Sequence, residues 1–111
     1  EFDKLTATEE SESSHTIRER VEAARKFQHD RFIDSACTTN SEMTNREIRL
    51  FCAVDDASMS LLRQAVTTLQ LSARSYHRIL KVARTIADLS LSKEIKMEHV
   101  AEALQYRTRS I

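Results

Sequence analysis

Residues 71–89 read LSARSYHRILKVARTIADL. At about 100° per residue, Tyr76, Ile79, Leu80, Ala83, Ile86 and Ala87 gather on one side of a helix, at i, i+3, i+4 spacing. His77, Arg78, Lys81, Arg84 and Asp88 lie within roughly 80° of Arg74, and Ala83 lies roughly 180° away. The stretch therefore has an apolar side and a cationic side, and Asp88 is the one acid on the latter. Ser72 is a good N-cap, and Leu71 with Tyr76 fits a hydrophobic staple around it. Arg74 then sits at the second helical position, where it opposes the positive end of the helix dipole at a cost of a few tenths of a kcal/mol. A cation there is useful if an anion arrives, because the free N–H groups already favour one and a guanidinium fork matches phosphate. A carboxylate from another segment would serve as well, and a solvated face is the bland reading of Lys81 and Arg84.

The flanks extend the helical pattern. Residues 1–13, EFDKLTATEESES, are acidic and Ser/Thr-rich and read as an extended arm or linker, with Phe2 and Leu5 able to dock locally. A helical domain then covers 14–109. Thr16 and Glu19 form a capping-box pattern for a first helix to about Ile33, with Ile17, Val21, Ala24, Phe27, Gln28 and Phe32 at helical spacing. Residues 34–43 read as a polar loop. Thr44 and Glu47 start a short helix turning Ile48, Phe51 and Cys52 inward, and Asp55 or Asp56 caps the next, with Leu61, Leu62, Ala65, Val66 and Leu69 as core. After the opening stretch, a last helix carries Met97, Val100, Ala101 and Leu104, behind the poor cap Lys96. Tyr76 and Tyr106 read as core, and Arg107 and Arg109 suit the negative end of the last helix. No segment sustains period-two alternation, so the expected fold is all-α, a bundle of about five helices.

Composition narrows the chemistry. The chain has 111 residues, 41% hydrophobic and 31% charged, with formal net charge zero; that fits one soluble domain. It contains no glycine and no proline. A phosphate-cradling loop needs glycines so that backbone N–H groups can approach, so no autonomous nucleotide-hydrolysing site is expected. Cys37 and Cys52 form no CxxC and read as inert reduced thiols of a cytoplasmic protein. His15, His29, His77 and His99 share no metal-ligand spacing. No catalytic set and no membrane span is evident.

LSARSYHRILKVARTIADL and EHVAEALQYR (98–107), with ESS (12–14), RVEAARKFQHDRF (20–32), Asn40 and REIRLFC (46–52), resemble the C-terminal domain of the magnesium-chelatase-like AAA+ ATPases of the ComM or YifB group. The resemblance covers nearly the whole chain. It implies an AAA+ lid-like domain whose ATPase core precedes it, with ATP and Mg2+ bound between core and lid in a usually hexameric ring. It implies that Arg74, the arginine of LSAR, is the second-sensor residue reaching the terminal phosphates of ATP. Arg78, Lys81 and Arg84 are then candidates for phosphate, DNA or subunit contacts. Arg25, Gln28 and Arg31, in the RVxxARxxQxxR pattern, are candidates for core or subunit contacts, with helix-surface pairing to Glu22 or Asp34 as the alternative. The group's DNA handling in natural transformation implies a DNA-associated motor or branch-migration helicase. The sequence departs from the group where turn glycines are usual: Gln70 stands before LSAR, and Ser90-Leu91-Ser92 follows IADL. The competing reading is a stand-alone helical DNA-binding or protein-interaction module, against which zero net charge argues.

Overall fold

The computed structural model describes the backbone of residues 2–109 and the side chains of residues 14–106. Five helices follow in order: α1 (Phe2–Arg31), α2 (Asn45–Phe51), α3 (Asp56–Leu69), α4 (Ala73–Leu89) and α5 (Met97–Arg109), with a 3-10 turn at Asn40–Glu42 before α2. No strand occurs among the described residues; a single parallel bridge joins Val54 to Ile95. The fold is the expected all-α bundle.

α4 is its axis, packing against α1, α2, α5 and the 3-10 turn. Ile79, Leu80, Ala83 and Ala87 of α4 are buried, and meet Phe32, Ile48, Cys52, Leu62, Ile95, Val100 and Ala103 in one core. Phe32 and Phe51 cross edge to face, centroids 5.6 Å apart. This is the arrangement implied by the apolar periodicity of each segment.

The caps explain the boundaries. Asp55 accepts from the Ser58 N–H at 2.8 Å at the start of α3, and Ser72 accepts from the Ser75 N–H at 3.1 Å at the start of α4. Thr44 bonds Glu47 side chain to side chain at 2.6 Å. α5 solves its poor cap from the other side: the Lys96 N–H donates to Nδ1 of buried His99 at 2.9 Å. His99 thus fills the third-position role that Glu or Gln plays in a capping box.

Several expectations change. α1 does not begin near Thr16. It runs back to Phe2, so the acidic stretch expected as an extended arm is helical. Neither proline nor glycine interrupts it, and Leu5, Ala7, Glu9 and Glu10 are good helix formers. The polar loop 34–43 is not wholly a surface feature, since Asn40 and Met43 are buried. Tyr106 is 49% exposed and Leu69 39%, so neither is core, and Met97, at 49%, is not buried with Val100; each lies at or near a helix end. The side chains of Phe2, Leu5, Arg107 and Arg109 lie outside the described residues.

Candidate site at the start of helix α4

Arg74 lies where the periodicity places it, exposed in the first turn of α4. It has no ion-pair or hydrogen-bond partner among the described residues. Ser72 occupies the Ser75 N–H, and the first helical bond runs from Tyr76 to the Ser72 carbonyl at 2.9 Å. The N–H groups of Ala73 and Arg74 are left for an external acceptor. No acid sits in the first turn.

From this end an open groove of about 990 Å3 follows α4. Arg74, His77, Arg78 and Lys81 line one part of it, Val82, Ile86 and Leu89 another, and Ser41, Asn45 and Tyr106 its edges. No carboxylate lines it among the described residues. Arg78 is exposed; Lys81 is half-buried and donates to the Ser41 carbonyl at 3.1 Å, tying the 3-10 turn to the helix.

The cationic stripe ends there. Arg84 is only 4% exposed, so it is not a surface contact for phosphate, DNA or another subunit. It donates to the carbonyls of Ser92 (2.9 Å), Lys93 (3.0 Å) and Phe51 (3.4 Å). Burial lowers its pKa, and neighbouring Asp88, 3.2 Å away, opposes that shift. Asp88 is fully buried. Arg31 grips it with both NH groups, at 2.7 and 2.8 Å, and the Asn40 amide donates to it at 2.9 Å. Gln28 accepts from the Asn40 N–H at 2.9 Å. Gln28 and Arg31 therefore bond inside the domain, to Asn40 and Asp88 and not to Glu22 or Asp34. Arg25 is exposed. The helical wheel misassigned this end of α4 because the end of α2 and the loop after α4 enclose Arg84, while α1 and the 3-10 turn enclose Asp88.

The chain matches the family described as magnesium chelatase, subunit ChlI C-terminal, over residues 11–107. It is 43% identical over 96 residues to the competence protein ComM of Haemophilus influenzae, and 41% and 38% identical over the same length to the YifB proteins of Escherichia coli and Salmonella typhimurium. Each alignment covers 86% of this chain and 18% of the relative. The chain belongs to the magnesium chelatase ChlI C-terminal family. It is a C-terminal domain of the ComM/YifB type and spans under a fifth of the length of these relatives.

The two turns where the resemblance leads one to expect glycine, at Gln70 and at Ser90-Leu91-Ser92, both contain left-handed backbone. Among the described residues, Gln70 and Leu91 have positive φ, 51° and 59°. Each closes a helix in the manner that favours glycine. After α4 the Leu91 N–H bonds the Asp88 carbonyl at 3.0 Å and the Ser92 N–H the Ala87 carbonyl at 2.8 Å, and after α3 the Leu71 N–H bonds the Val66 carbonyl at 3.2 Å.

Cys37 and Cys52 are both buried and reduced. A hydrogen bond to Glu47, then burial, raises the Cys37 pKa; burial pushes Cys52 up to about 11. Among the described residues no group of His, Cys, Asp or Glu could hold a metal, and no helix is long and apolar enough to cross a membrane. Sequence reasoning passed over His99 and the part played by Asp88. The one available signal for Asp88 was a lone acid placed four residues after a basic one on a cationic face.

Proposed function

We propose that this domain is the lid of a larger AAA+ ATPase and that Arg74 is its second-sensor residue, reading the terminal phosphates of ATP. The observation that carries the reading is an exposed, unpartnered arginine in the first turn of a capped helix, beside two unused N–H groups. The fit to ATP is partial. Arg74, Ala73 and the groove side of α4 suit the phosphate end, while ligands for Mg2+ have to come from the core of the same protein or from a neighbouring subunit. ATP supplies the phosphoryl group; this chain supplies a cation whose position is set before the charge develops. Arg78, exposed one turn along, is the remaining candidate for a phosphate or subunit contact, as is Arg25 on α1. The resemblance supports a hexameric ring, a cytoplasmic location and DNA handling as the activity, and the pathway is taken to be competence after the name of the Haemophilus relative.

This reading requires a glycine-rich phosphate loop in the same protein upstream of Glu1, and its absence from the full-length sequence would overturn the assignment. The 111-residue chain itself should neither hydrolyse ATP nor bind it tightly, and calorimetry showing micromolar affinity would contradict that.

The second reading is a module that binds DNA through Arg74 and Arg78. It loses force because two of the four cations in the stripe are engaged internally, Lys81 on Ser41 and Arg84 on three carbonyls. Titrating DNA against the chain at rising salt separates the two: steep salt-dependent binding would favour the module.

A further inference from the structure

The geometry points to Arg31 and Asp88 as positioning residues that hold Arg74 at its working angle. This rests on the second-sensor reading and deepens it. Arg74 and Asp88 lie at opposite ends of α4, about 21 Å apart at 1.5 Å per residue. A helix is a rod, so fixing its rotation at one end fixes the direction of a side chain at the other. The core side of α4, with Ile79, Leu80, Ala83 and Ala87 buried, seats the helix by packing, which is non-directional. The opposite side adds directional bonds. Arg31 meets both carboxylate oxygens of Asp88, a planar two-point grip that tolerates little rotation. The Asn40 amide holds the same carboxylate and Thr85 Oγ1, at 3.1 Å. The Arg31 guanidinium also lies 5.9 Å from the Phe32 ring centroid. Buried ion pairs of this kind add little net stability but set geometry in the best-attested cases. α1 and α4 thus move as one piece, and Arg74 takes its direction from α1.

A side-chain end sits about 6 Å from the helix axis, so a rotation of about 10° carries it through about 1 Å. Misplacement on that scale costs up to about 10²-fold in rate.

The test is a double-mutant cycle in the full-length ATPase, with Arg31→Lys, Arg74→Ala and both together, read as kcat, nucleotide Kd and melting temperature. Arg31→Lys keeps the charge and loses the fork. It is expected to stay folded, to keep its nucleotide Kd, and to lose turnover on the order of ten-fold. In the Arg74→Ala background it should cause no further loss, because both changes act through one side chain. Asn40→Ala, which takes a donor from the same carboxylate and an acceptor from Arg31 while leaving Arg31 and Arg84 on Asp88, should show a smaller loss of the same kind and covers the case of an unfolded Arg31→Lys. Turnover like wild type in both loosened variants, or an equal further loss in the Arg74→Ala background, overturns the inference alone. Wild-type turnover in Arg74→Ala overturns the second-sensor reading and this inference with it.

Discussion

Arg84→Ala should be among the most destabilising substitutions on α4, although its residue type and helical-wheel position mark it as a surface cation. The mutation takes a charged donor from the carbonyls of Ser92, Lys93 and Phe51 and one of two cations from buried Asp88. Hydrogen bonds to charged groups contribute about 1.5–3 kcal/mol each, and removing one partner of a buried ion pair costs about 3–5 kcal/mol. These do not add. Asp88 keeps Arg31 and Asn40, and exposed Lys93 lets water reach part of the loop. The expected loss is about 3–4 kcal/mol, a large share of the roughly 5–15 kcal/mol that holds a domain together. Arg78→Ala, six residues earlier and exposed, should change stability by less than about 0.5 kcal/mol. Urea unfolding of the 111-residue chain, followed by far-UV circular dichroism at neutral pH, measures both. An Arg84→Ala variant within about 1 kcal/mol of Arg78→Ala would refute the buried placement.

Gln70→Gly and Leu91→Gly should each stabilise the chain by about 1 kcal/mol or less, since both residues occupy left-handed backbone that glycine adopts without steric cost; a fall in melting temperature for both contradicts the turn geometry. His99→Ala should cost about 1 kcal/mol by leaving the Lys96 N–H unmet, while His99→Gln, the usual capping-box partner, should recover part of it; equal losses would remove the capping role. Hydrogen bonds from Thr38, Thr44 and Ser58 hold Glu42, Glu47 and Asp55 respectively below the ordinary carboxylate pKa. The unfolded chain therefore binds more protons, so their contribution is complete above the ordinary range of about 4 and is lost as pH falls through the lowered values. Urea midpoints between about pH 6 and pH 3 should fall less steeply in Glu47→Gln than in wild type, and identical slopes would count against it.

What the sequence revealed was mostly local. Ser72, Asp55 and the apolar period of α4 act within a turn or two, so the start of α4, the exposure of Arg74 and the burial of Ala83 could all be read directly. Gln70 and the stretch Ser90-Leu91-Ser92 also stood out, because the resemblance leads one to expect glycine in those turns, although only the backbone shows that Leu91 is the left-handed residue. The far half of the stripe was not legible, because a helical wheel orders side chains around an axis without showing what covers each side. Asp88 looked like a surface acid until α1 brought Arg31 to it across 57 positions of sequence. Asn40 looked like loop until Gln28 and Asp88 took its backbone and side chain. Tyr106, read as core, sits near the end of α5 where the groove is open. α1 began earlier than its capping-box pattern because nothing before Thr16 stops a helix.

The central claim rests on Arg74, and the most direct measurement is ATP turnover at saturating nucleotide by the full-length protein carrying Arg74→Ala, beside the melting temperature of the isolated domain with the same change. Arginines supplied from outside a phosphoryl-transfer site are worth about 10³–10⁵ in rate, and a lid residue should fall below that range yet cost at least about ten-fold. Nucleotide affinity should change less than turnover, and the domain should melt at the same temperature or slightly higher, since a cation leaves the positive end of the helix dipole. Turnover equal to wild type, or a domain that unfolds, would show that Arg74 serves the fold and not the phosphates.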